Sequence, residues 1–157
     1  MTERRRAAGY RIRRASDEDC DAILDIHRLA SMATRDGDAE DPVLEWLRDR
    51  RPEHYLADMR TQQFVVAADG ETILGFAALD VAKATVVSVF VAPESMRRGI
   101  GSAMMAELER MARDAGLDEL ELQAAGGAIE FYKKLGYTGE SDDPSWMEKK
   151  KKPLSGA

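Results

Sequence analysis

The amino-acid sequence predicts a mixed α/β domain of the α+β kind, in which helices cover a mostly antiparallel sheet. The first observation is that the hydrophobic spacing changes along the chain, from three- and four-residue steps to strand-like runs. The second is that three β-rich runs follow one another with turn signals between them, as in an antiparallel meander. The third is that helix-like and strand-like segments alternate afterwards, which gives the order β-α-α-β-β-β-α-β-α-β.

The first half of the chain is predicted to hold one strand and two helices. Residues 10–14 form the strand, and Ser16 can cap a helix whose first turn is acidic. Apolar residues then recur on one stripe over residues 22–33. A second helix begins at Asp41-Pro42 and stops where Pro52 interrupts it, so His54 is expected in a loop.

The second half is predicted to hold the meander and two further helix-strand pairs. Gly116 and Gly136 are well placed to end the two helices. The predicted elements are strands 63–68, 73–79 and 84–91, helix 102–115, strand 117–123, helix 128–135 and strand 146–150.

Length and composition favour a single domain. With 157 residues, of which 44% are hydrophobic and 33% charged, the chain can bury a core of its own. We expect one domain over residues 1–157, with an ordered core over about 10–152 and flexible basic ends. No apolar run approaches the roughly 20 residues that cross a bilayer, and no secretory signal opens the chain, so no membrane partner and a cytoplasmic location are expected.

Charge and metal-binding residues limit the kinds of site. Cys20 is the only cysteine, and the two histidines are too few for a histidine-rich centre, so no metal is expected. The net charge of −6 includes basic runs at both ends, so the body between them is more acidic than the total. An acidic body disfavours nucleic acid and favours cationic substrates through long-range steering.

The stretch from residue 86 to residue 105 carries the predicted chemistry. It combines a buried strand, a proline-marked turn and a helix opened by Gly99 and Gly101. Glycine allows close approach of the backbone, and the first amides of a helix have no partners within it. These amides, the helix dipole and the side chains of Arg97 and Arg98 predict a pyrophosphate cradle. The alternative is an ordinary helix start with solvated arginines.

Two other phosphate-binding motifs fit poorly. A P-loop needs Gly-Lys and a hydroxyl residue in an order that residues 97–99 do not supply. A dinucleotide fingerprint needs a glycine where Met104 stands, and residues 92–98 separate the strand from the first glycine. Nicotinamide chemistry is therefore disfavoured, although Glu121 stands where a ribose-binding acid can lie.

A second motif, Ala128-Ile-Glu-Phe-Tyr-Lys-Lys-Leu-Gly-Tyr137, places Tyr132 on the apolar face of a helix. A tyrosine on such a stripe alone is more often a core residue than a catalyst. Together with Ser88-Val-Phe-Val-Ala-Pro93, Arg98-Gly-Ile-Gly-Ser102 and Trp146-Met-Glu-Lys149, however, this motif resembles the GNAT acetyltransferase superfamily. The resemblance is close from about residue 64 to residue 150.

The resemblance implies the GNAT fold and an N-acyltransferase that moves an acetyl group from acetyl-CoA to a primary amine by direct attack. The acceptor would be a small molecule or a peptide, and a homodimer is left open. Tyr132 would be the general acid, and the strand backbone at residues 90–91 would pair with pantetheine amides. The residues implied to contact the cofactor are Phe90, Val91, Met96, Arg97, Arg98, Gly99, Ile100, Gly101, Ser102, Ala128 and Phe131.

The general base stays unassigned. Glu121, Asp80 and Ser88 are candidates, although each is more often a solvated or hydrogen-bonded strand residue. The chain departs from the family pattern at Met96, where Gln or Arg is usual, and at Ala125, where Asn is frequent. Phosphate binding is therefore expected to depend more on backbone amides. The alternative function is a GNAT-fold module that binds acyl-CoA or a partner without transfer, and the retained Tyr132 argues against it.

Overall fold

The computed structural model describes residues 9–33, 41–125, 128–139 and 147–154. Short 3-10 turns lie at Asp17–Asp19 and Pro93–Ser95. The helices and strands, in chain order, are β1 (Arg11–Arg14), α1 (Cys20–Ala33), α2 (Pro42–Asp49), α3 (Pro52–Asp58), β2 (Gln63–Asp69), β3 (Thr72–Asp80), β4 (Thr85–Val91), α4 (Ile100–Asp114), β5 (Glu119–Ala125), α5 (Ala128–Lys134) and β6 (Met147–Pro153). The predicted mixed, mostly antiparallel sheet with helices on its faces is confirmed. Trp146, the first residue of the predicted last strand, lies outside the described residues.

The six strands lie side by side in chain order, and one neighbouring pair differs from the others. β4 and β5 are parallel, and the register between them is a single pair, Thr85 with Glu121. β4 also carries a bulge, because Ser88 stands opposite Ala78 whereas Val86 stands opposite the next residue of β3. A bulge bends its strand and increases the local twist. β4 and β5 therefore part beyond their one pair and leave a gap between them.

Helices on opposite faces of the sheet build two cores. The first, which we call the α4-side core, includes Met104, Leu108 and Tyr132. The second, the α1-side core, includes Ile23 and Tyr55. Since side chains alternate along a strand, successive residues of β4 contribute to different cores: Val89 and Val91 pack on the α4 side, and Phe90 packs on the α1 side.

A third helix between α2 and β2 was absent from the predicted order. Pro52 occupies the first turn of α3, where its missing N–H has no helical partner to lose. The Arg51 amide donates to Nδ1 of His54 at 2.9 Å, so His54 belongs to the helix start. The expected loop at His54 is therefore wrong. Tyr55, 2% exposed, anchors this helix in the α1-side core.

A buried carboxylate fastens the last strand to α4. Glu109 is 8% exposed and accepts hydrogen bonds from the Tyr137 hydroxyl at 2.8 Å and from Lys152 Nζ at 3.1 Å. The Lys152 side chain runs across Gly136 to reach it. Removing one partner of such a pair leaves the other charge buried and uncompensated. This contact holds β6 and the segment after α5 against the helix that starts beside the gap.

Gly75 of β3 is predicted to be intolerant of a larger side chain. A Cβ there would lie 2.8 Å from the backbone oxygen of Phe90 and 3.2 Å from the Met104 side chain. Because a backbone atom cannot rotate away, we expect Gly75→Ala to lower the free energy of unfolding by about 1 to 3 kcal/mol, measured by urea denaturation.

Gly101→Ala is the matched control. The added Cβ would meet the ring of Phe131 at 3.1 Å, and a partly buried ring can shift. We expect Gly101→Ala to lower the free energy of unfolding less than Gly75→Ala does. A Gly75→Ala protein as stable as wild type would contradict the close packing of α4 on β3.

Candidate active site

The gap between β4 and β5 exposes backbone that would be paired in a complete sheet. At its closed end the Glu121 amide donates to the Ala84 carbonyl at 3.0 Å. Beyond this point residues 88–91 continue to pair with β3 on one side. On the other side they do not pair with the residues of β5. An extended ligand that carries amide groups can add to such an edge as a further strand.

The start of α4 lies at the open end of the gap. Gly99 caps the helix with φ of 78°, a left-handed conformation that favours glycine. The first helical bond runs from the Ala103 amide to the Gly99 carbonyl at 3.0 Å, so the amides of residues 100–102 have no partner within the helix. Ile100 is 2% exposed, so it can meet a ligand through its amide only, whereas Ser102 is exposed. These amides and the helix dipole suit an anion.

The loop before α4 contacts Tyr10, the residue that precedes β1, and sequence analysis missed this contact. The Tyr10 hydroxyl donates to the Arg98 carbonyl at 3.5 Å, and its ring lies 5.8 Å from the Arg98 guanidinium carbon. Arg97 has φ of 68°, which is uncommon for a residue with a side chain. Met96 is 55% exposed, and its side chain has no charged or amide group. Backbone amides and the two arginines are therefore the groups of this loop that could hold an anion.

α5 closes the other side of the helix start. The Phe131 ring lies over Gly101, since a Cβ there would be 3.1 Å from Phe131 Cζ and 4.0 Å from Val91 Cγ2. Ala128, the first residue of α5, is exposed. The preceding residues 126–127 lie outside the described ranges. Gly101, Val91 and Phe131 thus meet where the gap opens.

Tyr132 lies beneath this contact and keeps its proton. It is 8% exposed, and its ring packs against Phe131 and, at 6.0 Å, against Tyr137. Burial raises the pKa of Tyr132 to about 12, so the phenol is neutral at physiological pH. Burial is the only cause of this shift, and no hydrogen bond to another described residue contributes to it. The group is available as a hydrogen-bond donor.

Glu121 and Ser88 lie on the other face of the sheet from Tyr132. The neighbours of Glu121 in β5 enter the α4-side core, so its own side chain points to the α1 side. Ser88 stands opposite Ala78, a member of the α1-side core. Glu121 is at the closed end of the gap, and Ser88 is farther along it. The structure thus places the predicted proton donor and the predicted base candidates on opposite faces.

Sequence analysis also missed a ring cluster behind Phe90. The His27 ring lies 4.5 Å from the Phe90 ring, and its Nδ1 is 2.7 Å from the Tyr55 hydroxyl oxygen. The ring of Trp46, which is 50% exposed, lies 5.8 Å from that of His27. The Arg50 guanidinium carbon lies 4.7 Å from the Trp46 ring and 4.4 Å from the Tyr55 ring. We call His27, Trp46, Arg50, Tyr55 and Phe90 the α1-side cluster.

The cluster holds one fixed positive charge and one neutral imidazole. Arg50 forms an ion pair with Asp58 of α3. Burial, and secondarily the charge of Arg50, lower the pKa of His27 to about 4. His27 is therefore neutral at pH 7 and is a poor general base, since efficient bases have a pKa near the working pH.

The described residues contain neither a metal-binding group nor a membrane-spanning helix. No set of three or more His, Cys, Asp or Glu side chains among them is arranged to hold an ion. None of the helices within these ranges has the length and apolar character needed to cross a bilayer.

Comparisons with known proteins agree on one family. Residues 60–139 match the acetyltransferase (GNAT) domain. The chain is 27% identical to a spermidine N(1)-acetyltransferase of Thermoplasma acidophilum, over 88% of this chain and 96% of that protein. It is 30% identical to an N-alpha-acetyltransferase of Sulfurisphaera tokodaii, over 87% of this chain and 85% of that protein.

A solved structure shows the same fold. PaiA N-acetyltransferase from Thermoplasma acidophilum, in complex with coenzyme A, superposes with a TM-score of 0.81 at 23% identity, over 92% of this chain and 98% of that one.

The buried His27 predicts an acid-dependent loss of stability. Its pKa is 6.5 when unperturbed and about 4 in the folded protein, so the unfolded chain takes up the proton first as the pH falls. We expect the free energy of unfolding to drop by about 3 kcal/mol between pH 6.5 and pH 4 through this residue, and to recover as the pH rises again.

Urea denaturation across this range checks the effect. His27→Gln should remove that part of the pH dependence, whereas His54→Gln, which replaces the exposed histidine of α3, should keep it. Parallel pH profiles for wild type and His27→Gln would show that His27 is not buried as a neutral ring.

Proposed function

This chain belongs to the GNAT acetyltransferase family, and we propose that it transfers the acetyl group in the gap between β4 and β5. It is an acetyl-CoA-dependent N-acetyltransferase, and its acceptor is an amine. The observation that carries the proposed site is the parting of β4 from β5 beside the glycine-capped start of α4. The acceptor we propose is a primary amine on a small molecule or at a peptide terminus, in keeping with the spermidine and N-alpha activities of the relatives.

Acetyl-CoA is proposed to bind from the α4 side. Its pyrophosphate would accept hydrogen bonds from the amides of residues 100–102, and Arg97 and Arg98 would add positive charge from the exposed loop. The pantetheine arm would run along the backbone of Phe90 and Val91. The exposed Ala128 and the Phe131 ring would flank it. The absence of a charged side chain at Met96 supports a site that relies on backbone donors.

The reaction proposed for the gap is direct attack. The amine nitrogen adds to the thioester carbon, and a backbone donor near Phe90 stabilises the oxygen as negative charge develops. The carbon–sulfur bond then breaks, and the amide product and a thiolate form. The amine loses a proton in the same sequence, and the thiolate gains one, so the reaction conserves protons.

Tyr132 is proposed to stabilise the departing sulfur. A phenol whose pKa is about 12 is always protonated at neutral pH, which suits a donor. Because a thiol has an ordinary pKa of about 8.5, complete transfer from this phenol to the thiolate is unfavourable by itself. We therefore assign Tyr132 mainly a hydrogen bond to the sulfur, and transfer of its proton becomes favourable only as the amine supplies another.

The base is proposed to act from the opposite face. A lysine-like ammonium has a pKa of about 10.4, so it must lose a proton before attack. Glu121 and Ser88 are on the face from which an amine would approach, and Glu121 at the closed end would need a bridging water. The neutral His27 is not proposed as the base.

Acetyl-CoA should stabilise the folded protein. At about 100 times the dissociation constant, the ligand should add roughly 2.7 kcal/mol to the free energy of unfolding, seen as a higher Tm. Gly99→Glu should abolish the shift, because it forces a side chain into a left-handed position and puts a negative charge beside the phosphates. An unchanged Tm at millimolar acetyl-CoA, with a shift by NAD instead, would refute the proposed site.

Tyr132→Phe should slow turnover without weakening cofactor binding. We expect kcat to fall by about 10²-fold or more while the KM for acetyl-CoA changes little, because the lost hydrogen bond forms as the sulfur departs. Thiol release with a saturating amine measures both constants.

Tyr137→Phe is the matched control. It removes a hydroxyl that binds Glu109, so the free energy of unfolding should fall by about 1 to 3 kcal/mol with little change in kcat. Near-normal kcat for Tyr132→Phe would contradict the assignment of Tyr132.

A further inference from the structure

We propose that the α1-side cluster forms a wall of the acceptor subsite and selects amines that carry a single positive charge and an apolar or aromatic substituent, in preference to polycationic amines. This proposal rests on the proposed function, because it takes the gap between β4 and β5 as the place of transfer.

Phe90 connects the cluster to the gap. Its backbone lies on the strand edge where β4 has left β5, while its ring packs against His27 at 4.5 Å and Phe76 at 5.6 Å. Ser88 points to the same face of the sheet. An amine that approaches the thioester from the side opposite to α4 therefore passes the rings of this cluster.

Trp46 supplies accessible apolar surface beside this path. Its ring is 50% exposed and meets the edge of the nearly buried His27 ring at 5.8 Å, with an interplanar angle of 68°. A half-exposed indole next to buried rings is an amphipathic surface on which an aromatic or aliphatic substituent can pack.

A second ammonium group on the acceptor would be attracted to the aromatic rings of the cluster, but Arg50 already occupies this position. The Arg50 guanidinium lies against both the Trp46 and Tyr55 rings and forms an ion pair with Asp58. These rings and this carboxylate are the groups that attract cations. Arg28 stands nearby, and its guanidinium donates to the Arg50 carbonyl at 2.9 Å and the Leu47 carbonyl at 3.0 Å.

Arg50 thus occupies the rings and the carboxylate that would attract a cation, and Arg28 lies beside it. Burial, and secondarily the charge of Arg50, lower the pKa of His27, so the cluster disfavours added positive charge. The acidic body of the protein can attract polyamines to the surface. The choice between bound amines, however, depends on the local charge of the α1-side cluster.

Two kinds of acceptor share the favoured chemistry. One is an arylalkylamine, and the other is the amino terminus of a peptide whose first side chain is large and apolar. Both present one ammonium group and one apolar group to the wall.

The test compares matched acceptors with acetyl-CoA in a thiol-release assay. We expect kcat/KM for phenethylamine, or for a Phe-initiated peptide amide without charged side chains, to exceed that for spermidine by about tenfold or more. The acceptor with the higher kcat/KM identifies which of the two kinds is preferred. Trp46→Ala should lower the preferred kcat/KM by about tenfold and leave the KM for acetyl-CoA unchanged. Leu56→Ala, at another exposed apolar residue of the same helical layer, is the control and should change neither.

The substitution Arg50→Gln gives a second, independent test of the proposal. It should raise kcat/KM for spermidine relative to phenethylamine by about tenfold. Equal or better use of spermidine by wild type, or an unchanged ratio in Trp46→Ala, would overturn the proposal while leaving acetyl transfer intact.

A binding measurement separates this proposal from the proposed function. With Trp146→Phe, Trp46 is the remaining tryptophan, and its emission should respond to phenethylamine but not to spermidine in the presence of CoA. A response without thiol release from any amine would support the subsite and refute transfer in the gap. If the amine causes no change in emission and no thiol is released, the proposed subsite is overturned as well.

Discussion

The site depends on the parting of β4 from β5 after one parallel pair. Parallel neighbours in a sheet normally continue to pair, because unpaired backbone groups are costly when water is excluded. Here the bulge in β4 bends the strand away, and residues 88–91 keep one side of their backbone for β3 and leave the other to the gap. An unpaired strand edge in the middle of a sheet can bind a molecule that carries amides. Each proposed role depends on where the residue lies relative to this edge.

The close contacts around the gap fix where each group approaches it. Gly75 lets α4 lie directly on β3, and Gly101 leaves room for the Phe131 ring. The helix start and α5 are therefore on one face, and Phe90 turns its ring to the other. The two faces of the gap therefore carry different groups. The amides at the start of α4 and the Tyr132 hydroxyl lie on the α4 side, and the Glu121 carboxylate, the Ser88 hydroxyl and the aromatic rings lie on the α1 side.

The order of strands and most helices could be predicted because hydrophobic period and turn residues are local signals. The glycines of the α4 start and the tyrosine of α5 were likewise found from short motifs. α3 was missed because a proline that interrupts one helix can equally begin the next. The bulge in β4 has no signature in its own residues, since its register is set by packing against β3.

The α1-side cluster could not be predicted for a different reason. His27 and Tyr55, whose side chains touch, are 28 residues apart in the chain. A contact between single residues on two different helices has no periodic pattern in the sequence that would indicate it. The neutral state of His27 and the high pKa of Tyr132 follow from burial, which depends on the assembled cores.

The Glu109 contact also predicts an order of events in folding. Its cation, Lys152, lies 43 residues farther along the chain, beyond β5 and α5. α4 can form from local contacts early, but its carboxylate stays hydrated until β6 docks, since burying it alone is unfavourable. Contacts of high sequence separation form slowly because they close long loops. We therefore expect the segment after α5, which Tyr137 joins to Glu109, to be fixed in place at a late stage of folding, after the start of α4 has formed.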